Sequence, residues 1–194
     1  LSDGSYLEAQ DFWRISGIER DVVLYSVPKI HIKDFKVSAR LDTNNYRTGR
    51  FGVDIYYSQE VPEGLKVTID LLDDKGSLVL HKEQRTDHHD WFTYFIEKDC
   101  SVGEVAPWSA EIPNLYTLTI KLYDKKDSLS EILATKVGFR NVEIKNGLLT
   151  INGKPVLIKG VNRHEHSLQG GHYCTRKEME EDVSWMKVMN INAV

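Results

Sequence analysis

The sequence lacks the long apolar runs that cross a bilayer and the basic clusters that bind nucleic acid. No run approaches the roughly 20 apolar residues that a membrane helix needs, and the N-terminus, Leu1-Ser2-Asp3-Gly4, has no basic-then-apolar signal pattern. The 25 Lys and Arg and the 29 Asp and Glu residues are mixed along the chain and give a net charge of -4. We therefore expect neither a membrane nor a nucleic-acid partner. The compartment, cytoplasm or periplasm, stays open.

Cysteine is also scarce. Cys100 and Cys174 are the only two cysteines in 194 residues, which is too few for a disulfide framework, so we expect two free thiols. With 41% hydrophobic residues, the chain can bury the core of one full domain together with smaller pieces.

Short β-rich runs separated by turn residues extend from Pro28 to about Arg140. They predict about seven strands, at residues 31–41, 51–58, 65–72, 77–84, 91–97, 115–124 and 132–139. Apolar and polar residues alternate in 67–71 and 116–122, as in strands with one buried face. This pattern, with no helical stretch, predicts a mainly β fold, an immunoglobulin-like sandwich.

The pattern changes after Arg140. Two apolar runs flank Asn152-Gly153 and predict a β-hairpin. Val156–Ile158 reads as a further strand, and a capping box that begins at Thr175 predicts a helix with Met179, Val183 and Met186 on its apolar face. Strand, loop, helix and a closing Asn192–Val194 strand resemble the first βαβ step of a parallel α/β domain. Because one such step cannot bury both faces of its strands, we expect the chain to be part of a longer protein.

The densest polar cluster is Gly160–His166, which contains Asn162, His164 and His166 together with the charged Arg163 and Glu165. It follows an apolar strand, where a barrel would present side chains at its C-terminal mouth. Amide and imidazole groups can hold a polyol by hydrogen bonds, so a sugar-binding loop is one interpretation and a simple polar loop is the other. A metal site of His164 and His166 with His172 and Cys174 is a weaker alternative, because no zinc-type pair of fixed spacings is present.

Two tryptophans allow both structural and functional interpretations. Asp11 and Arg14 flank Trp13, and they read as a buried ion pair or as a site facing a neighbouring domain. Trp108 lies between two prolines, which favours a packed connection over a sugar-stacking platform.

Four motifs in order resemble the large bacterial β-galactosidases of glycoside hydrolase family 2. They are Asp11-Phe12-Trp13-Arg14 with Ser16-Gly17-Ile18, the stretch Pro107–Tyr116, Gly138-Phe139-Arg140, and Asn152-Gly153-Lys154-Pro155 continuing through Gly160–His166. The resemblance spans nearly the whole chain, although residues 42–103 carry no motif.

The resemblance implies three segments: a jelly-roll tail at 1–27, the sandwich at 28–140 and the truncated start of a catalytic TIM barrel at 141–194. It implies that Asp11 contacts galactose and a sodium ion, and that His164, with Asn162 beside it, binds the galactosyl group. The two catalytic glutamates and the magnesium ligands would lie on later barrel strands, so no catalytic residue is expected here. The parent would be a homo-oligomer that uses magnesium and sodium.

The reaction implied for the parent is retaining double displacement on terminal β-galactosyl residues, with two glutamates roughly 5 Å apart. The 194 residues alone should be inactive. Two alternatives remain. One is a non-catalytic carbohydrate- or protein-binding module that exposes Trp108 or Trp91-Phe92, and the other is a related β-glucuronidase or β-mannosidase.

Overall fold

The computed structural model describes residues 17, 18, 20–87 and 92–194, with the backbone only for 92–99. The chain divides into two compact units. One is Ser26–Val156, and the other combines Leu157–Val194 with the chain up to Tyr25.

Antiparallel strands in two sheets form most of the larger unit. The strands are β1 (Ile32–Leu41), β2 (Thr48–Tyr57), β3 (Lys66–Leu72), β4 (Leu78–Arg85), β5 (Phe92–Glu104), β6 (Tyr116–Tyr123) and β7 (Leu129–Val137). One sheet has the order β1-β2-β5 and the other β4-β3-β6-β7. This division of seven strands between two sheets is that of an immunoglobulin-like sandwich, so the predicted fold class is confirmed.

Alternate side chains of the two sheets meet in one hydrophobic core. The central members are at most 1% exposed: Phe51, Val53 and Ile55 of β2, Val67, Ile69 and Leu71 of β3, and Leu118, Ile120 and Leu122 of β6. Phe139 closes one end, where its ring meets the Tyr116 ring edge-on at 5.1 Å. Since each buried large apolar side chain contributes about 1.5–3 kcal/mol, this core is the main source of stability in the unit.

The predicted strands fall within a few residues of the observed ones, except for β5. That strand continues past the predicted end at Glu97 to Glu104, and its pairing with β2 contains several register shifts. Bulges of this kind interrupt the two-residue alternation on which the prediction depends. The predicted turns at Asp73 and Asp124 are confirmed, because each Oδ1 accepts two backbone N–H groups of its own turn at 2.7–2.9 Å.

A small third sheet follows the sandwich. It contains β8 (Val142–Lys145), β9 (Leu148–Ile151) and β10 (Lys154–Pro155) in the order β10-β9-β8. The predicted turn at Asn152-Gly153 is confirmed, with φ of 50° and 74°. A second Asn-Gly turn at 146–147 joins β8 to β9 with φ of 51° and 76°, and the sequence analysis missed both this turn and β8. Positive φ at both central residues is the type I′ geometry that suits tight hairpins.

Two asparagines join this sheet to the sandwich. The buried Asn141 side chain accepts the Leu41 N–H at 2.9 Å and donates to the Leu41 carbonyl at 2.8 Å. Asn152 accepts the Asn141 backbone N–H and donates to the Trp108 carbonyl, both at 3.0 Å. The Asn141 amide thus pairs with the end of β1 as a neighbouring strand would, and satisfies backbone groups that would otherwise be buried without partners.

The smaller unit contains one helix among the described residues, α1 (Arg176–Val188). The predicted capping box is confirmed, with Thr175 as N-cap. Val156–Ile158 is not a strand: only a parallel bridge between Gly160 and Ala193 forms, because two short parallel segments offer few backbone hydrogen bonds. On the predicted apolar face of α1, Val183 is 58% exposed, and no residue of the helix is fully buried.

Both cysteines are free thiols, as predicted; Cys100 is partly buried and Cys174 is buried. Within the described residues, no helix is long and apolar enough to cross a membrane.

Candidate functional site

The loop between Gly160 and Thr175 starts where two segments pair in parallel. Val161 N–H donates to the Ala193 carbonyl at 3.2 Å. Asn192 N–H donates to the Lys159 carbonyl at 3.0 Å, and Lys159 N–H donates to Asn192 Oδ1 at 2.8 Å. The predicted site residues Asn162 and His164 therefore emerge directly after this paired segment. The position agrees with the end of a parallel strand, where α/β folds place their ligand sites.

Arg163 anchors the start of the loop to α1. Its Nε and Nη2 atoms lie 2.8 and 2.6 Å from one carboxylate oxygen of Asp182, and only 17% of its side chain is exposed. Asn162 and His164, on either side of it, are both exposed. The chain thus holds the middle residue of the motif against the helix and leaves two hydrogen-bonding side chains accessible.

This ion pair was missed by the sequence analysis. Asp182 is 19 residues from Arg163 and reads as one of several charged residues on a solvated helix face. Only the three-dimensional return of the helix past the loop brings the two together.

Three histidine rings follow one another along the loop. The His164 and His166 centroids are 5.9 Å apart, and those of His166 and His172 are 5.8 Å apart. His172 and Cys174 are buried. Within the part of the chain that the structure describes, no three His, Cys, Asp or Glu side chains are grouped so that they could hold a metal ion.

Glu178 fastens the far end of the loop to the first turn of α1. One of its oxygens accepts the Ser167 hydroxyl at 2.6 Å, and the other accepts the Thr175 N–H and hydroxyl, both at 2.7 Å. These hydrogen bonds, that of Ser167 first, lower the pKa of Glu178 from 4.5 to about 2. The glutamate is a permanently ionised structural group at neutral pH.

Glu178 is unsuited to acid catalysis. The general acid of a glycosidase needs a raised pKa so that it stays protonated at neutral pH. Glu178 has a lowered one, and Glu165 forms ion pairs with Arg20 and, at 3.9 Å, with Arg163. The loop can therefore bind a polar ligand through Asn162 and His164, whereas Glu178 serves as a structural carboxylate and not as an acid.

The other predicted site residues have different outcomes. Asp11, with its expected galactose and sodium contacts, lies outside the described residues, as does the side chain of Trp91. Trp108 is partly buried. Its backbone N–H donates to the Phe139 carbonyl at 2.9 Å, and the Arg140 guanidinium lies 4.5 Å from its ring centre. This placement favours the packed connection over the sugar-stacking platform.

The model of glycosyl hydrolases family 2 matches residues 30–140, and the TIM barrel domain model of that family matches residues 142–194. The chain belongs to glycosyl hydrolases family 2.

Curated relatives match along the whole chain. A β-galactosidase of Priestia megaterium is 45% identical over 197 residues, and one of Halalkalibacterium halodurans is 42% identical over 193 residues. These matches cover 100% of this chain but 19% and 18% of the relatives. The chain thus spans about a fifth of the length of the curated relatives it matches.

Solved structures support the fold. A Parabacteroides merdae β-glucuronidase aligns over 85% of this chain and 20% of its own, with a TM-score of 0.73 and 21% identity. A Ruminococcus gnavus β-glucuronidase aligns over 85% of this chain and 26% of its own, with a TM-score of 0.67 and 23% identity. At this identity the likeness concerns the architecture alone.

Proposed function

We propose that the complete protein is a retaining β-galactosidase, in which this chain supplies the sandwich scaffold and part of the galactose pocket. The carrying observation is that relatives named β-galactosidase align over all of this chain at 38–45% identity. The β-glucuronidases of similar fold are only 21–23% identical. The bacterial relatives favour a bacterial enzyme of the cytoplasm or periplasm.

In this proposal Asn162 and His164 bind galactose hydroxyls. Both are exposed, while Arg163 between them is fixed to α1 through its 2.6 and 2.8 Å contacts with Asp182. A fixed backbone lowers the entropy lost when the side chains order on a ligand. Asp11, from the jelly-roll tail at 1–27, adds a galactose and sodium contact.

The chemistry requires groups supplied by the rest of the protein. One glutamate attacks the anomeric carbon, and a second, roughly 5 Å away, protonates the leaving oxygen and then activates water. Glu178 of α1 does not suit these roles, because its pKa of about 2 rules out the acid and both of its carboxylate oxygens are occupied by Ser167 and Thr175. We propose that magnesium, sodium and a homo-oligomeric assembly belong to the complete enzyme, and that the 194-residue chain alone hydrolyses nothing.

The test is expression of the complete reading frame, followed by assays with aryl β-galactoside, β-glucuronide and β-mannoside. Galactoside-selective turnover supports the proposal. Turnover of another glycoside instead, or none by a folded complete protein, contradicts it and favours the alternatives of a related activity or a non-catalytic module.

Site residues are tested in the same complete protein. His164→Ala should lower kcat/KM for the galactoside by about 10- to 1,000-fold, the cost of losing hydrogen bonds to substrate. His81→Ala is the matched control, because this histidine lies on strand β4 of the sandwich with its side chain 50% exposed. Equal activity of the two variants would remove His164 from the pocket.

A further inference from the structure

A basic cleft runs along β1, an edge strand of its sheet. It consists of two adjoining grooves of about 700 and 540 Å³. Arg40, Arg140 and Val142 line both grooves and thus mark their junction. An edge strand with an adjoining groove is a surface on which an extended chain can lie.

The first groove contains a concentration of guanidinium groups. Arg40 of β1 stands directly opposite Arg50 of β2, and both line the groove with Arg140. Like charges facing each other across strands destabilise a sheet. The Asp42 carboxylate neutralises the charge of Arg50 only, since it lies 2.8 Å from Arg50 Nη2. Among the described residues, none forms an ion pair with Arg40.

The other acid of this groove is also occupied. Glu143 accepts the Tyr46 hydroxyl at 3.0 Å, and its carboxylate lies 3.4 Å from Lys145 Nζ. Both carboxylates of the groove are therefore used by neighbours, and the charges of Arg40 and Arg140 remain in excess.

Arg140 is held in place by packing. Its guanidinium lies over the Trp108 ring, 4.5 Å from the centre, and its backbone N–H donates to the Ala39 carbonyl at 3.3 Å. Gly138 allows the Trp108 side chain to lie close to the backbone, because a Cβ at position 138 would be 2.9 Å from Trp108 side-chain atoms. A guanidinium that lies over an aromatic ring can still offer N–H groups to a carboxylate.

The second groove continues the same charge. Lys36 of β1 and Lys136 of β7 line it together with the apolar Val37 and Leu115. None of the described residues that line this groove carries a carboxylate. The groove thus offers cations from both sheets, Lys36 and Arg40 of β1 and Lys136 of β7, together with apolar surface.

We propose that this basic cleft docks an extended acidic segment contributed by the remaining domains of the complete protein. The two grooves, of about 700 and 540 Å³, exceed the volume of a single small anion, and cations line both of them, which matches successive carboxylates on an extended chain. Carboxylates and phosphates both pair with Arg through two parallel N–H···O bonds. The apolar Val37 and Leu115 beside the cations favour an acidic protein segment as the occupant. The chain covers only 18–19% of its relatives, so a long stretch of sequence outside it can supply that segment.

The test uses hexaglutamate as the probe and the 194-residue chain as the receptor, with binding followed by nitrogen-15 NMR of the Arg side chains and of amides 36–40. Hexaglutamine and inorganic phosphate are the comparison ligands. The variant is Arg40→Gln with Arg140→Gln. The matched control is Lys75→Gln with Lys125→Gln, which makes the same charge change at two exposed turn lysines.

We expect hexaglutamate to bind, the arginine variant to weaken binding about tenfold or more, and the lysine control to change it by about twofold or less. The proposal is overturned if hexaglutamate does not bind, or if both variants weaken its binding equally. It is also overturned if inorganic phosphate causes the same chemical-shift changes, since that would show a site for small anions only. In the complete protein, amides 36–40 should exchange more slowly than in the 194-residue chain, and the arginine variant should remove that difference. Equal exchange rates would contradict docking without bearing on which glycoside the enzyme cleaves.

Discussion

Replacing Asn141 by Ala should destabilise the sandwich, because the buried Asn141 amide bonds both backbone groups of Leu41 at the end of β1. The substitution removes the acceptor of the Leu41 N–H and the donor to the Leu41 carbonyl, at 2.9 and 2.8 Å. Leu41 is 2% exposed, so both backbone groups lose their partner in a buried position. An unsatisfied buried group costs about 1–3 kcal/mol, which gives about 2–6 kcal/mol for the pair.

The lower part of that range is the better expectation. Leu41 and Asn141 both line a groove of about 700 Å³, from which water can reach the vacated positions and replace part of the lost bonding. We therefore expect Asn141→Ala to lower the free energy of unfolding by about 2–3 kcal/mol, a large share of the 5–15 kcal/mol typical of a domain.

Urea denaturation followed by tryptophan fluorescence measures this change. The midpoint should fall by about 1–2 M. Asn44→Ala is the control, because Asn44 is exposed and bonds only within its own turn, to Asp42, and it should change stability by about 0.5 kcal/mol or less. If Asn141→Ala unfolds at the same urea concentration as the control, the amide does not hold the end of β1.

Three further predictions concern other contacts. Gly153→Ala should lower the free energy of unfolding by about 2–4 kcal/mol in urea denaturation, since its Cβ would lie 2.7 Å from the Tyr46 ring and φ is +74°. Gly76→Ala is the control for backbone strain alone, because φ is +83° there and a Cβ would meet open space. Equal losses of stability in the two variants would refute the clash with Tyr46. Carbon-13 NMR should give a titration midpoint near pH 2 for the Glu178 carboxyl. Because the pKa is lowered in the folded protein, the cap contributes its full stability above pH 4.5 and loses it as the pH falls from there toward 2. A titration midpoint above 4 would contradict this. Asp182→Asn removes the carboxylate that holds the loop arginine and should raise KM for galactoside about fivefold in the complete protein with a smaller change in kcat; an unchanged KM would show that the ion pair does not position the loop.

The sequence was informative where a local pattern carries the structure. Alternation in 67–71 and 116–122 predicted β3 and β6, because one face of each strand packs into the core. The capping box at Thr175 predicted the start of α1, since both of its hydrogen bonds form between residues three apart. Such features depend on neighbours in sequence and need no knowledge of the fold.

The sequence was uninformative where distant residues decide the outcome. The Asn141 amide bonds to Leu41, 100 residues away, and nothing near either residue signals the contact. The four-residue strand β8 was missed because it is too short for a periodic pattern. The apolar Val156–Ile158 was predicted to be a strand, but without enough backbone pairing it forms only the loop that leads to the Gly160 bridge.

The candidate site divides in the same way. The motif Gly160–His166 indicated which side chains could meet a sugar, and the structure leaves Asn162 and His164 exposed after a paired segment. The ion pair to Asp182, which restrains Arg163, required the helix to fold back along the loop. Residue types were thus readable in advance, whereas their restraint was a property of the fold.

The most direct test of the proposed function is proton NMR of aryl β-galactoside hydrolysis by the complete protein. Double displacement predicts that the β-anomer of galactose appears first and then equilibrates, while the 194-residue chain alone releases no galactose. Initial release of the α-anomer would contradict the retaining mechanism. The absence of galactose release by a folded complete protein would contradict the assignment as a β-galactosidase.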